Sequence, residues 1–503
     1  MSSRPKIEQY FVKTSQKEKE ALDHQCARFI FATNSAFRHV EHAEFIRLLA
    51  MARPGYKPPT RHEVGGKLLD DVYESITSDV KKQLIGISVC MSIDGWSNIH
   101  NDPIICASIT DARDGRGSVY LADTVDTQSN RHTSEYLLQL ATEAISKCHT
   151  NFGCKVRSFV TDNAANMSKM RSELAKMDNS PDVITYGCSA HILNLLAHDI
   201  EIPGIKEHVV QIMKYFRNNQ FAGAKYKEVG GKALILPSDV RWNTLADCLE
   251  CYIHNWPLMI KVCTENRAAI DKNIASKVND VAIKNNAADY LAYLKDIAVA
   301  LDKVQGNSCL ISEATDIWLD VLESLAKHED ETISGKAKKR FQMAMTAPHY
   351  LANLMDPRYR GMKLTQEQIH EALEYASDYH PAAMPTLLKY RAEAGPFHSY
   401  MFSEKILKDV SPLAWWNSVK CDIDASVINL AEQLFTAVAS SAGLERLFSA
   451  FGLTHTKIRN RLGTRKAAKL VSILKALNMN YQYDTHDFTS DSYVSLTVQS
   501  DSM

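Results

Sequence analysis

The chain has 503 residues, 45% of them hydrophobic, so it is long enough to bury more than one core. Its 58 basic and 59 acidic residues nearly cancel, so net charge does not indicate a polyanion partner, and any such surface must be local. Eleven scattered cysteines, and no apolar run of the ~18 residues that a membrane span needs, predict an intracellular protein with reduced thiols and no membrane partner.

The first part of the chain predicts a change from helices to strands. Residues 1–25 are charged and weakly patterned, which is typical of a mobile leader, and residues 26–86 have a helical pattern. Three β-rich runs follow at 84–97, 103–113 and 118–127, separated by turn residues. This spacing predicts a three-stranded antiparallel meander.

Helices and strands then alternate. A helix is predicted at 134–148, a strand at 155–162 with a helix after it, and a short strand at 183–190 that runs into another helix. The order β-β-β-α-β-α-β-α predicts a mixed α/β layer over residues 87–200.

The rest of the chain predicts helices. Residues 201–430 lose the strand signals and form long amphipathic patterns, which indicates an inserted helical domain. Residues 431–482 are again helical, and the Ser-, Thr- and Asp-rich residues 483–503 are typical of a disordered tail.

Two aspartates are candidates for a metal site. Asp94 follows an apolar run, with Gly95 after it for a tight turn, and Asp162 ends the strand at 155–162. If these strands are neighbours, the two carboxylates can meet, and paired carboxylates repel unless a divalent cation lies between them. The alternative is that each is an ordinary turn or cap aspartate.

Five motifs carry a resemblance to a known family. In chain order they are SIDGWSN, FVTDNAANM, CSAHILNLL, LPSDVRWNT and ASSAGLERLFSAFG. Together, over roughly residues 25–482, they resemble the hobo/Activator-type (hAT) DNA transposases. The resemblance implies an α/β plus α fold: an RNase H-like core, with a mixed sheet and flanking helices, interrupted by a large helical insertion and followed by a C-terminal dimerisation region. It also implies DNA as partner, a homodimer or higher homo-oligomer, and the nucleus as location.

The resemblance also implies a catalytic triad. By motif, the family's two aspartates and one glutamate fall on Asp94, Asp162 and Glu445, which would bind Mg²⁺ or Mn²⁺ for attack on DNA phosphodiesters. Glu445 flanks an apolar helical stripe made by Leu444, Leu447, Phe448 and Phe451. Without the resemblance, a solvated helix glutamate would be the preferred interpretation.

Three more residues are assigned to the site by resemblance. Arg241 and Trp242 match a family pair in which the tryptophan stacks on a flipped base, and buried packing is the alternative for the tryptophan. His191, in a C-x-x-H pattern with Cys188, is interpreted as contacting phosphate or lining the site, because two ligands alone do not make a zinc site. A core histidine is nearly as plausible.

A basic run near the C-terminus is a candidate DNA surface. Between His455 and Leu470 the chain has no acid. The run's cations are Lys457, Arg459, Arg461, Arg465, Lys466 and Lys469. Such a run indicates a polyanion partner, and it coincides with the segment that resembles the family's dimerisation region. The alternative is a solvated helix face.

Two functional hypotheses remain open. The intact triad favours a transposase, with metal-dependent cleavage and strand transfer of DNA. The second hypothesis is a domesticated, non-catalytic DNA- or chromatin-binding dimeric regulator, favoured because no BED-type zinc finger like that of many family members is found before the KIEQYF segment. No phosphate-binding loop motif is present, so we expect no nucleotide cofactor.

Overall fold

The computed structural model of the chain describes residues 14–97, 100–113, 115, 117–177, 183–237, 244–328, 330–456, 459 and 462–479. The chain divides into two compact units. The first comprises Met1–Thr110, Ser118–Val156 and Leu444–Met503, and the second comprises Asp111–Gly117 and Arg157–Gly443. The first unit therefore joins segments from both ends of the chain. The predicted tail, residues 483–503, lies outside the described residues.

Helices begin the first unit. They are α1 (Gln16–Ala32), α2 (Ala43–Ala52), α3 (Arg61–Val64) and α4 (Lys67–Leu84), with a 3₁₀ turn at Phe37–Glu41 between α1 and α2. α1 begins inside the predicted leader because the Ser15 hydroxyl accepts a hydrogen bond from the Glu18 N–H and the Glu18 carboxylate accepts one from the Ser15 N–H. This capping box starts a helix where the hydrophobic pattern is weak.

Five strands form a mixed sheet. They are β1 (Ser88–Ser97), β2 (Pro103–Asp111), β3 (Ser118–Asp126), β4 (Lys155–Thr161) and β5 (Ile184–Gly187). Their order is β3-β2-β1-β4-β5, so β1 and β4 are neighbours. β1 and β2 are antiparallel, with Cys90 opposite Thr110, whereas β4 and β5 are parallel, with Phe159 opposite Thr185. The predicted strands and the α/β class are confirmed.

Helices alternate with the later strands as predicted. They are α5 (Ser134–Lys147), α6 (Ala165–Leu174) and α7 (Ser189–Asp199). α5 begins at a side-chain cap, because the Thr133 hydroxyl accepts a hydrogen bond from the Tyr136 N–H at 3.3 Å. α6 and α7 each begin within a few residues of a strand end, which is where α/β folds place functional side chains.

Helices make up most of the second unit. They are α8 (Ile205–Asn218), α9 (Gln220–Glu228), α10 (Thr244–Glu265), α11 (Lys272–Asn279), α12 (Val281–Val304), α13 (Ile311–Ala326), α14 (Glu331–Ala344), α15 (Ala347–Met355), α16 (Gln366–Tyr379), α17 (Met384–Arg391), α18 (Glu404–Asp409), α19 (Pro412–Ser418) and α20 (Ala425–Leu434). Over 201–430 the described residues form no strand, as the loss of strand signals predicted. None of the described helices is long and apolar enough to cross a membrane.

Two helices from the end of the chain complete the first unit. α21 (Ala442–Thr454) and α22 (Thr464–Met479) share one hydrophobic core with β2 and β3. Buried Ile104 and Val119 from the strands meet Leu447 and Val471 from the helices. This packing places the start of α21, which carries Glu445, in the same unit as β1.

Candidate active site

Asp94 lies inside β1, not at its end. It pairs with Cys106 of β2, and the pairing continues through Gly95 to Ser97. The predicted turn at Gly95 is therefore wrong, because its backbone stays in register opposite Ile105 as the strand continues. The half-buried Asp94 carboxylate accepts a hydrogen bond from the Gly95 N–H at 2.7 Å.

Trp96 shows which helix covers the face that carries Asp94. Side chains two residues apart on a strand share one face of the sheet, so Asp94 and Trp96 lie on the same face. The Trp96 ring stacks on Phe448 with 6.1 Å between ring centroids, and its centroid is 5.4 Å from that of Phe451. Both phenylalanines belong to α21, and Glu445 is nearly one turn before Phe448 on that helix.

Glu445 is a half-buried carboxylate beside an apolar stripe. The predicted stripe is confirmed, because Leu444, Leu447 and Phe451 are buried and Phe448 packs against them. Burial raises the pKa of Glu445, and the neighbouring Arg446 guanidinium opposes that rise. Within the described part of the chain, no hydrogen bond or ion pair reaches the Glu445 carboxylate. The site therefore favours either a proton or a cation at this side chain.

Asp162 occupies the predicted position directly after β4. Its Oδ1 accepts a hydrogen bond from the Ala164 N–H at 3.2 Å, which forms an Asx turn leading into α6. The backbone carbonyl of Asp162 accepts a hydrogen bond from Arg171, which also donates to the Thr161 hydroxyl and, at 3.0 Å, to the Asn163 side chain. Arg171 thus holds the loop that presents Asp162.

Arg171 is a site residue that the motif analysis missed. It is buried on α6 together with Met167, Met170 and Leu174, at the spacing of an apolar face. Burial lowers the pKa of its guanidinium, and the charge of Asp162 opposes that effect. An arginine on an apolar stripe is the signal that could have revealed it, because a buried cation needs acceptors.

The end of β5 packs closely against the Asp162 loop. A Cβ at Gly187 would lie 1.9 Å from Asn163 Oδ1, so only glycine permits this approach. The Cys188 N–H donates to the Thr161 carbonyl at 2.7 Å, and the Cys188 carbonyl accepts a hydrogen bond from Asn163. Cys188 is buried and His191 is half-buried in the first turn of α7. The role of His191 stays a prediction.

The donor chemistry of the three acids fits a hard divalent cation. Carboxylate oxygens are the ligands that Mg²⁺ and Mn²⁺ prefer, and the half-buried Glu445 carboxylate, which accepts no hydrogen bond from the described residues, would gain from a cation. Among the described residues, no group of three or more His, Cys, Asp or Glu side chains is arranged to hold a metal ion. The convergence of Asp94, Asp162 and Glu445 stays a prediction.

Some predicted DNA-binding residues lie outside the described residues. These are Arg241 and Trp242 before α10, and Lys457 and Arg461 in the basic run.

Three of the four described cations of the basic run contact the protein itself. Arg459 donates two hydrogen bonds to Asn34, one to its side chain at 2.7 Å and one to its carbonyl. The Lys466 ammonium donates to the Gly65 carbonyl at 2.7 Å, and Lys469 forms an ion pair with Asp70 at 2.6 Å. Arg465 is exposed. These contacts tie the run to the N-terminal helices, and its binding to DNA stays a prediction.

Comparison with known protein families gives two matches. Residues 59–215, which include Asp94, Asp162 and His191, match a domain of unknown function (DUF659). Residues 397–477, which include Glu445 and the whole basic run, match the hAT family C-terminal dimerisation region. No curated protein matches the chain.

Proposed function

The two family matches identify the chain as a hAT-family transposase or a protein derived from one, and on that premise we propose that it cleaves and joins DNA phosphodiesters at Asp94, Asp162 and Glu445. The Glu445 carboxylate is the observation that carries the proposal. It is half-buried, it accepts no hydrogen bond and forms no ion pair among the described residues, and it lies on the helix that covers the Asp94 face of the sheet. A carboxylate in that state is suited to binding a cation.

The proposed cofactor is Mg²⁺ or Mn²⁺, held by these three carboxylates. When bound, such an ion supplies Lewis-acid stabilisation to the oxygens of an in-line displacement at phosphorus. The chain's own residues prepare the ligands. The Gly95 N–H orients the Asp94 carboxylate, and Arg171 fixes the loop that carries Asp162. Glu445 must lose its proton to act as a metal ligand. Because burial raises its pKa, metal binding should weaken at low pH.

The proposed fold of this site is RNase H-like. Support comes from the mixed sheet, from the adjacency of β1 and β4, and from the helical block between β5 and α21. In that arrangement residues 201–430 are an insertion between two parts of one catalytic core, and Arg241 and Trp242 lie in the insertion.

DNA is the proposed substrate, and the nucleus is the proposed location. His191, Arg241, Trp242, and the run at Lys457, Arg459, Arg461, Arg465 and Lys466 are the proposed contacts. The dimerisation region supports a homodimer, which would present two such sites to two DNA ends.

A cleavage assay with a matched variant tests the proposal. The full chain is incubated with double-stranded DNA carrying candidate element ends, with Mg²⁺, with Mn²⁺ and with neither ion. Asp162→Asn should abolish metal-dependent strand cleavage and leave DNA binding intact, because it removes one ligand charge without changing the shape. Asp422→Asn, at an exposed loop position of the same unit, is the control and should cleave normally.

Cleavage that persists in Asp162→Asn would overturn the assignment of Asp162. DNA binding without cleavage by the wild-type chain, with either ion, would favour the non-catalytic regulator instead.

A further inference from the structure

A large basic cavity opens in the first unit, formed by residues from both ends of the chain. Its volume is about 750 Å³, and its lining includes Arg38, Arg61, His62, Arg459 and Lys466. We propose that this cavity binds the phosphodiester backbone of a nucleic-acid strand. The inference rests on the proposed DNA function, and it adds a contact site built on elements other than those that carry the three acids.

Four elements build the cavity. Arg38 comes from the 3₁₀ turn after α1, Arg61 and His62 come from α3, Arg459 comes from the segment before α22, and Lys466 comes from α22 itself. The cations therefore face the cavity from several sides. A linear helix face would display them in one row, so the tertiary structure creates this arrangement.

Close packing fixes the walls. A Cβ at Gly65 would lie 2.7 Å from the Phe37 ring, so glycine allows the aromatic side chain to cross the backbone there. The Gly65 carbonyl accepts the hydrogen bond from Lys466, and Asn34 accepts those from Arg459. These contacts hold the Lys466 ammonium and the Arg459 guanidinium at fixed positions in the cavity wall, so a ligand binds to charged groups that are already ordered.

The charge of the cavity is uncompensated by its own lining. None of the described lining residues is acidic, whereas Arg38, Arg61, Arg459 and Lys466 each carry a permanent positive charge. Outside the lining, the Glu41 carboxylate accepts a hydrogen bond from the Arg61 N–H at 2.9 Å and lies 3.9 Å from the Arg61 guanidinium, so it offsets part of that one charge. Burial also lowers the pKa of Arg459. Four like charges around one space repel each other, and an anion in that space relieves the repulsion.

A polymer backbone fits the site better than a single small anion. The volume falls within the range of about 300–1,000 Å³ that organic ligands occupy, so it far exceeds the space that one phosphate fills. Arg38, Arg61 and His62 are exposed, so the positive wall continues onto the surface. Guanidinium groups bind phosphate oxygens through paired hydrogen bonds, which suits successive phosphates along a strand.

The test is a binding titration of the full chain without any divalent ion. Arg38→Gln with Arg61→Gln neutralises two exposed cations that make few contacts within the protein. Arg267→Gln with Arg391→Gln removes the same charge at exposed positions elsewhere and serves as the matched control. Thermal unfolding verifies that both double variants fold. The probes are one mixed-sequence labelled oligonucleotide, single-stranded and as a duplex, with inorganic pyrophosphate as competitor.

We expect the Arg38/Arg61 variant to bind nucleic acid roughly tenfold more weakly than the control variant at low salt. Its log–log salt dependence for duplex should flatten by about 1.8, since each lost phosphate contact removes about 0.9. Affinity and slope equal to those of the control would overturn the inference. Competition by pyrophosphate that is lost in the Arg38/Arg61 variant, with no change in oligonucleotide affinity, would make the cavity a small-anion site and would overturn the inference as well.

This experiment separates the cavity from the acidic site. Because the titration contains no metal, a chain that fails the cleavage assay can still show the expected loss of binding. Asp162→Asn should bind the oligonucleotide as the wild-type chain does.

Discussion

Two acids, a fully buried one in the second unit and a half-buried one in the first, differ in how many hydrogen bonds their carboxylate oxygens accept. Asp356, in the helical second unit, is fully buried and accepts hydrogen bonds from the Arg358 N–H at 3.0 Å, from the Arg358 guanidinium at 2.9 and 2.7 Å, and from the Ser312 hydroxyl at 2.8 Å. The Glu445 carboxylate in the first unit has no such donor among the described residues.

The difference separates a structural acid from a functional candidate. Burying a charge costs free energy unless partners replace the lost water, and at Asp356 the donors of Arg358 and Ser312 replace it. Glu445 has lost part of its water without that replacement, and its pKa is raised as a result. A side chain left in this state lowers stability slightly unless a ligand completes it.

The largest effect should come from Glu445→Gln. We expect cleavage to fall by roughly 10³-fold or more, about 4 kcal/mol in barrier height, because the ligand charge is lost. Stability at neutral pH should be unchanged or slightly higher, since no hydrogen bond from a described residue to the carboxylate is broken. Urea unfolding beside the cleavage assay checks both expectations, and a large loss of stability would show that Glu445 is structural.

Asp356→Asn should give the opposite pattern. Removing the charge leaves the half-buried Arg358 without the carboxylate that it contacts directly, which costs about 3 kcal/mol in the free energy of unfolding. Urea unfolding measures this loss, and the folded fraction should cleave DNA at the wild-type rate. If Asp356→Asn unfolds at the same urea concentration as wild type, the contrast between the two acids fails.

Arg171→Lys tests whether Arg171 positions Asp162 by holding the loop that carries it. Lysine keeps the charge but cannot donate to Thr161, Asn163 and the Asp162 carbonyl in the same fork geometry. We expect kcat to fall by roughly 10- to 100-fold with KM for DNA little changed, because the Asp162 loop shifts. Asp162 would be held by other contacts if kcat stayed at the wild-type value, whereas a rise in KM alone would place Arg171 on the DNA.

The smallest effect is a pH dependence of stability. The folded state raises the pKa of Glu445, so this residue's contribution to stability is fully present below the unfolded pKa of about 4.3 and is lost as pH rises through the folded pKa. Wild type should therefore lose stability relative to Glu445→Gln as the pH rises through that range. Thermal unfolding of both proteins across pH measures the difference.

The same thermal unfolding measurement, made with Mg²⁺ at a pH above the range in which Glu445 titrates, tests whether Glu445 binds the cation. If the cation binds the ionised carboxylate, it should raise the Tm of wild type and leave that of Glu445→Gln unchanged. Equal Tm shifts for both proteins would argue against a metal ligand at Glu445.

The spacing of hydrophobic residues along the sequence predicted much of the fold. It also predicted which strand or helix carries or directly precedes each of the three acids. Period-two and helical spacing located all five strands and the helical block, because these periodicities follow from which side of an element is buried. The same patterns misplaced Asp94. Gly95 is a common turn residue, but hydrogen bonds to β2 keep the strand extended to Ser97, and that pairing depends on a distant segment.

By itself, the sequence determined the order of elements, the two aspartates beside β-strand segments, the stripe that carries Glu445 and the motifs of the hAT family. Only the tertiary structure decided which charged side chains have hydrogen-bond or ion-pair partners within the protein. Arg459, Lys466 and Lys469 look alike in the basic run, yet each contacts a different partner in the N-terminal helical region. Arg171 likewise turns inward to hold the Asp162 loop. The contacts of the basic run join residues 399 to 425 positions apart, and no local spacing encodes such hydrogen bonds or the desolvation that accompanies them.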